Sequence, residues 1–235
     1  MDYPALERAA RRGAAAELMR HAASELEHVV SGRRALRAVR HPLGFVCLPL
    51  LRDGARGVCV HVFGGLGEAG GPADAGPPGT PDPSPDASQV HAHSWELTST
   101  VLYGRLDNRR MRVHEERDEP THRVFEVHSD PSGVDELRPT ERLVRCRPGA
   151  EQTSARGQTY ALPAGEFHTT VVPGGRPTAT LVLGRTLPGR ADLSLGPLQA
   201  PGRRVVRRTC DPARTARIAR AALRRIHEPE PEPPA

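Results

Sequence analysis

The chain has 235 residues and no lysine, so all 33 of its basic side chains are arginine. Aromatic residues make up only 3% of it, which leaves a core built from Val, Leu and Ala. The formal net charge is +5, but the arginines are spread along the chain and no aromatic side chains alternate with them for base stacking. The composition therefore indicates an arginine-for-lysine coding bias, and we expect no nucleic-acid partner.

Long apolar runs are also missing. No stretch approaches the ~20 apolar residues of a membrane span, and residues 1–4 lead into charged residues rather than a signal-like segment. The cysteines form no CxxC pair and no regular disulfide framework. The sequence therefore predicts a cytoplasmic protein with free thiols and no membrane partner. Cys47 and Cys59 lie in apolar segments, and we expect them to be buried as small hydrophobic residues.

Both ends of the chain have apolar residues at helical spacing. Residues 1–40 are predicted to be an N-terminal helical segment that packs on the outside of the domain or makes a homodimer contact. Residues 206–227 are predicted to contain a C-terminal helix, with Asp211 as its N-cap and Pro212 as its first residue. The acidic, Pro-rich tail at 228–235 is expected to be disordered.

Between these helices, over 41–205, the pattern changes to about nine short β-like runs separated by turn residues. This pattern predicts a mainly β fold, a closed β-barrel or jelly roll, in which 90–103 is one strand. The Gly- and Pro-rich stretch at 64–88 interrupts the pattern and is predicted to be a flexible loop. Because it leads directly into His91, it is either a lid over the site or a passive insertion.

Three histidines are the candidates for a metal site. Residues two apart on a strand share a face and lie roughly 6.5–7 Å apart, so His91 and His93 can converge on one ion. His168 follows a turn in which Pro163 presets φ and Gly165 tolerates a positive φ. The strand after that turn would carry the third imidazole inward. Neutral imidazole suits Fe, Zn, Cu and Ni, so the three histidines do not select the metal.

These histidines stand in two recognisable motifs. The run from Gly157 to His168 has Gly, five residues, Pro, one residue, Gly, two residues and His, and it resembles the second conserved motif of the cupin superfamily. His91-Ala92-His93, with Gly104 closing the strand, resembles the first motif. The resemblance implies a single cupin β-barrel that holds one metal ion on His91, His93 and His168.

Glu96 departs from the cupin pattern, which usually has a glutamate as fourth ligand. Glu96 follows His93 after only two residues, and Leu97 occupies the position where the family places its glutamate. Strict alternation puts His93 and Leu97 on one face of the strand and Glu96 on the other. A β-bulge would turn Glu96 inward. The sequence thus leaves two alternatives, three histidine ligands or three histidines with Glu96.

A three-histidine cupin resembles the thiol dioxygenases, which include cysteine and cysteamine dioxygenases. The segments 43–49 and 99–106 resemble strands of the cysteamine-type enzymes. This resemblance implies a mononuclear non-haem Fe(II) oxygenase that uses O₂ and a small organic substrate, such as a thiol or an amino-acid derivative. Two further expectations within the superfamily are a non-redox isomerase or lyase that uses Zn, Ni or Mn as a Lewis acid, and a ligand-binding cupin without turnover. Tyr160 and Arg105 are the candidate catalytic residues, because both are polar side chains near the motifs.

Overall fold

The computed structural model describes residues 1–64, 89–130 and 132–229. Within these ranges the fold is mainly β, with two antiparallel sheets and three helices. Most of the predicted loop at 64–88 and residues 230–235 of the predicted tail lie outside the described residues. No helix in the described part of the chain has the length and apolar character that crossing a membrane requires.

The helices are α1 (Tyr3–Arg11), α2 (Ala15–Val30) and α3 (Pro212–His227). The strands are β1 (Val39–Arg40), β2 (Val46–Asp53), β3 (Arg56–Phe63), β4 (His91–Ala92), β5 (Trp95–Tyr103), β6 (Arg105–Glu115), β7 (His122–Ser129), β8 (Val134–Ala155), β9 (Thr159–Leu162), β10 (His168–Val171), β11 (Thr178–Thr186), β12 (Asp192–Gly196) and β13 (Arg203–Val206).

Capping aspartates begin two of the helices. The Asp2 side chain accepts from the Ala5 N–H at α1, and the Asp211 side chain accepts from the Arg214 N–H at 2.7 Å, which confirms the predicted N-cap of α3. These bonds satisfy backbone donors that have no partner within the helix. The apolar faces of all three helices pack in one cluster with the first sheet.

The first sheet has the strand order β1-β2-β3-β11-β5-β9. Successive side chains along a strand face opposite sides of the sheet, and both sides of this sheet pack against apolar clusters. Val58, Val60 and Val62 of β3 belong to the helix-facing cluster, whereas Cys59 and Phe63 pack against the cluster on the other side of the sheet.

The second sheet has the order β13-β8-β6-β10-β4-β12-β7, and β7 pairs with β8 as well. Of the two predicted alternatives, a closed barrel or a jelly roll, the closed barrel is not what the described residues form, because their ladders make two sheets. The arrangement is compatible with a jelly-roll-like β-sandwich. The predicted single strand at 90–103 is also wrong, since the chain leaves the second sheet after β4 and enters the first sheet at β5. His93 and Ser94 lie at this crossing.

Candidate metal centre

The second sheet brings the candidate ligands together. His91 lies in β4 and His168 begins β10, and the two residues are direct antiparallel partners. Directly opposed residues project from the same face, with Cβ atoms typically 4.5–5.5 Å apart. His93 follows β4 at the crossing between the sheets. The register of β4 and β10 and the crossing segment after β4 thus bring the three imidazole rings close to one point.

The three imidazoles are close enough to share an ion. Their ligand nitrogens all lie within 4.8 Å of one another. The ring centroids are 4.3 Å apart for His91 and His168, 4.8 Å for His91 and His93, and 5.2 Å for His93 and His168. His168 is buried, and His91 and His93 are half-buried. The triad could bind one metal ion.

Backbone carbonyls fix the tautomers of two members. The Nδ1 of His91 lies 2.9 Å from the Gln89 carbonyl oxygen, and the Nδ1 of His168 lies 3.0 Å from the Glu166 carbonyl oxygen. A carbonyl oxygen only accepts, so each Nδ1 carries the hydrogen and each Nε2 keeps its lone pair. Metal-binding histidines in proteins usually donate their second ring nitrogen to such a partner. The donor set therefore fits a metal ion.

Burial keeps the triad neutral. Desolvation lowers the pKa of His168 to about 3, with a further contribution from His91. Desolvation likewise lowers the pKa of His91, and it lowers that of His93 further because His91 and His168 lie beside it. Charged imidazolium cannot ligate a metal. At neutral pH the three rings are therefore in the form that binds an ion.

The turn before β10 is tied to the triad. Gly165 has φ +82°, as the Pro-Ala-Gly sequence predicts, and only glycine adopts that conformation without strain. The Gly165 N–H donates to the His93 carbonyl oxygen at 2.8 Å. The adjacent Ser94 N–H donates to the Asp192 carboxylate at 2.6 Å. These bonds hold the crossing segment against the second sheet.

The triad opens into a cavity with mainly apolar walls. Leu97, Phe63, Leu162 and Val182 contribute apolar side chains to its lining. Leu97, which takes the position of the cupin glutamate, is buried and faces this cavity. Other polar lining groups in the described residues are His41, His61, Gln89, Tyr160 and Thr170.

Glu96 lies outside the cluster. It pairs directly with Arg185 across β5 and β11, and the Arg185 Nε–H donates to its carboxylate at 3.1 Å. Both side chains are 47% exposed and line a surface cleft with Tyr3 and Glu7 of α1. Alternation along β5 has no bulge at this point, so Glu96 points away from the cavity. The alternative in which Glu96 is a fourth ligand does not agree with this geometry.

The two candidate catalytic residues have different surroundings. Tyr160 is buried and lines the cavity, and burial raises the pKa of its phenol. It is therefore a protonated hydrogen-bond donor at neutral pH. Arg105 is exposed and does not line the cavity. Its backbone N–H donates to the Thr178 hydroxyl, and its carbonyl oxygen accepts from the same hydroxyl.

Some residues around the triad belong to neither of the two cupin-like motifs. The Trp95 indole lies against His93, with ring centroids 4.4 Å apart and planes at 36°. On the other side of the cavity, His41 stacks on Phe45 at 4.3 Å, and Phe45 contacts His61 at 4.5 Å. The alternation of Cys59, His61 and Phe63 along β3 is a sequence signal that could have placed His61 inside, whereas nothing in the sequence indicates the position of His41.

No protein-family model matches this chain, and a search of curated proteins finds no significant match. The similarity to cupins therefore rests on the two motifs, the two-sheet fold and the histidine triad.

Proposed function

We propose that this chain is a mononuclear non-haem Fe(II) oxygenase of the cupin type. Its co-substrates would be O₂ and a small organic molecule such as a thiol or an amino-acid derivative. The observation that carries the proposal is the triad of neutral imidazoles at the wall of a cavity, with Glu96 engaged by Arg185 on another surface. A site with three protein ligands keeps coordination positions open for exogenous ligands.

His91, His93 and His168 would hold the ion through ring nitrogens. Iron bound there would supply the one-electron and oxygen chemistry. Other residues of the chain would orient these ligands. The Gln89 and Glu166 carbonyls orient two of the imidazoles, and Trp95 limits the rotation of the third.

The residues that line the cavity would contact the substrate. Apolar side chains of the first sheet, among them Phe63, Leu97 and Val182, would exclude water from the space beside the triad and so strengthen polar interactions there. The Tyr160 phenol remains protonated, so it can donate a hydrogen bond to a bound substrate. Ser99 and Asn108 lie close enough to that phenol to influence its pKa. Together these groups would orient a small organic substrate beside the triad.

Oxygen uptake by anaerobically iron-loaded protein tests this proposal. We expect consumption of O₂ that depends on one member of a panel of small thiols and amino-acid derivatives, and that disappears in His93→Ala. Protein that binds iron at the triad without supporting O₂ uptake for any substrate would contradict the oxygenase function. Protein purified without added metal that contains Zn, Ni or Mn and no Fe would favour a non-redox isomerase or lyase, in which the ion acts as a Lewis acid.

A further inference from the structure

A second group of metal-ligating side chains lies on the inner face of the first sheet. Cys47 in β2 is the direct antiparallel partner of His61 in β3. Cys59 precedes His61 by two residues on β3 and therefore shares its face. The three side chains thus project together toward the second sheet, opposite the face that packs on the helices.

The distances within this group suit a small cation. The two Sγ atoms and a ring nitrogen of His61 all lie within 4.8 Å of one another, and Cys59 Sγ is 3.2 Å from His61 Nε2. Tetrahedral Zn²⁺ has Zn–S near 2.3 Å and Zn–N near 2.0–2.1 Å, which places neighbouring ligand atoms roughly 3.5–3.8 Å apart. Small rotations of the side chains would therefore bring all three atoms to one ion.

We propose that Cys47, Cys59 and His61 form a second metal site, which takes Zn²⁺. Thiolate with imidazole is a donor set that selects Zn²⁺ over the harder divalent cations. No other His, Cys, Asp or Glu of the described residues joins the group, so the fourth position is open to water or an external ligand. This site shares no ligand with the histidine triad, although His61 lines the same cavity, and it does not depend on the proposed oxygenase function.

The sequence predicts Cys47 and Cys59 to be buried small hydrophobic residues, and Cys59 does pack against an apolar cluster. Both thiols are free and half-buried, and each has a polar partner. A hydrogen bond with Cys59, helped by His61, holds the pKa of Cys47 well below its usual range, while the same bond and burial raise the pKa of Cys59. These contacts place both sulfurs beside one imidazole, as a shared ion requires.

A disulfide between Cys47 and Cys59 is the alternative to metal binding. Cys47 faces His61 and Pro49 faces Cys59, so the two cysteines are diagonal neighbours rather than direct partners. Diagonal neighbours are typically about 7–8 Å apart, beyond the usual Cα separation of about 4.4–6.8 Å in disulfides. The backbone geometry thus favours an ion between the sulfurs over a bond between them.

Titration of the full-length apo-protein with Co²⁺, a spectroscopic substitute for Zn²⁺, tests the site. We expect two ions per chain and a thiolate-to-cobalt charge-transfer band. Cys47→Ser and Cys59→Ser should each lose the band and one ion while keeping the ion at the triad, which also shows that they fold. Cys146→Ser is the matched control for a half-buried thiol outside the group, and His168→Ala should keep the band while losing the other ion.

Alkylation mapped by mass spectrometry gives a second measurement on the unmutated chain. Added Zn²⁺ should protect Cys47 and Cys59 and leave Cys146 as reactive as before. Equal alkylation of Cys47 and Cys59 with and without Zn²⁺ overturns the proposal. So does a cobalt spectrum without a thiolate band, or a reduced chain that forms a Cys47–Cys59 disulfide in air even with Zn²⁺ present.

Discussion

His91 and His168 are direct partners across β4 and β10, and their rings lie 4.3 Å apart although 76 residues separate them in the chain. Because side chains alternate along a strand, a slip of one residue in this register would move one of the two rings to the opposite face. The metal centre therefore depends on the pairing of the second sheet as much as on the histidines themselves.

Loss of any member of the triad should remove most of the iron. We expect His91→Ala, His93→Ala and His168→Ala to bind iron poorly, because two imidazoles hold a labile ion weakly. The measurement is iron content per chain after anaerobic loading and desalting. His21→Ala, on the exposed face of α2, is the control and should bind as much iron as the unmutated chain. Normal iron content in a triad variant would place the ion elsewhere.

Glu96→Ala should leave metal affinity unchanged. Its carboxylate is paired with Arg185 on the surface, so the substitution removes only an exposed ion pair. Such pairs contribute about 0.2–1 kcal/mol to the free energy of unfolding. Metal titration and urea unfolding measure the two effects. A loss of metal as large as that of His93→Ala would mean that Glu96 is a ligand after all.

Tyr160→Phe should lower turnover while leaving iron binding intact. The phenol would donate one hydrogen bond to the substrate, worth roughly 1–1.5 kcal/mol, which corresponds to about a tenfold change in kcat/KM. Tyr103→Phe is the matched control, because Tyr103 is also buried and its pKa is also raised by burial, yet it does not line the cavity. Equal effects of the two variants would indicate that Tyr160 acts through packing alone.

The metal-free protein should lose stability as the pH falls below about 6.5, the usual pKa of histidine. Burial lowers the pKa of His41 to about 3, so between these values the unfolded chain binds a proton that the folded chain does not. The free energy of unfolding therefore decreases with falling pH across this window. Urea unfolding of His41→Gln and of exposed His21→Gln at several pH values measures it. The first variant should show a weaker pH dependence, and identical curves would contradict the assignment.

Gly184→Ala should disturb the indole beside the triad. An added Cβ at Gly184 would lie 2.8 Å from the Trp95 ring, so the indole would have to move. Overpacking of this kind costs about 1–3 kcal/mol, and we expect weaker iron binding through His93 as well. Gly57, the direct partner of Gly184 on β3, is the control, because its added Cβ would meet only the Leu51 carbonyl at 3.7 Å. Similar unfolding curves for the two variants would show that Trp95 adapts freely.

The sequence alone determined the local features. Asp211 and Pro212 identify the start of α3 because capping depends on adjacent residues, and the turn before His168 follows from Pro163 and Gly165 for the same reason. Alternation predicted that Glu96 points away from the face of Leu97. The three candidate ligands were identified from the spacing of residues within the two motifs, which also depends on local geometry.

Tertiary structure decided which strand pairs with which. Nothing near His93 marks the crossing from β4 to β5, and the short strand β4 exists because β10 and β12 pair with it. The same long-range pairing separates the strands into two sheets. Such pairing joins residues far apart in sequence, so the local periodicity of one strand does not indicate which strand pairs with it or in which register.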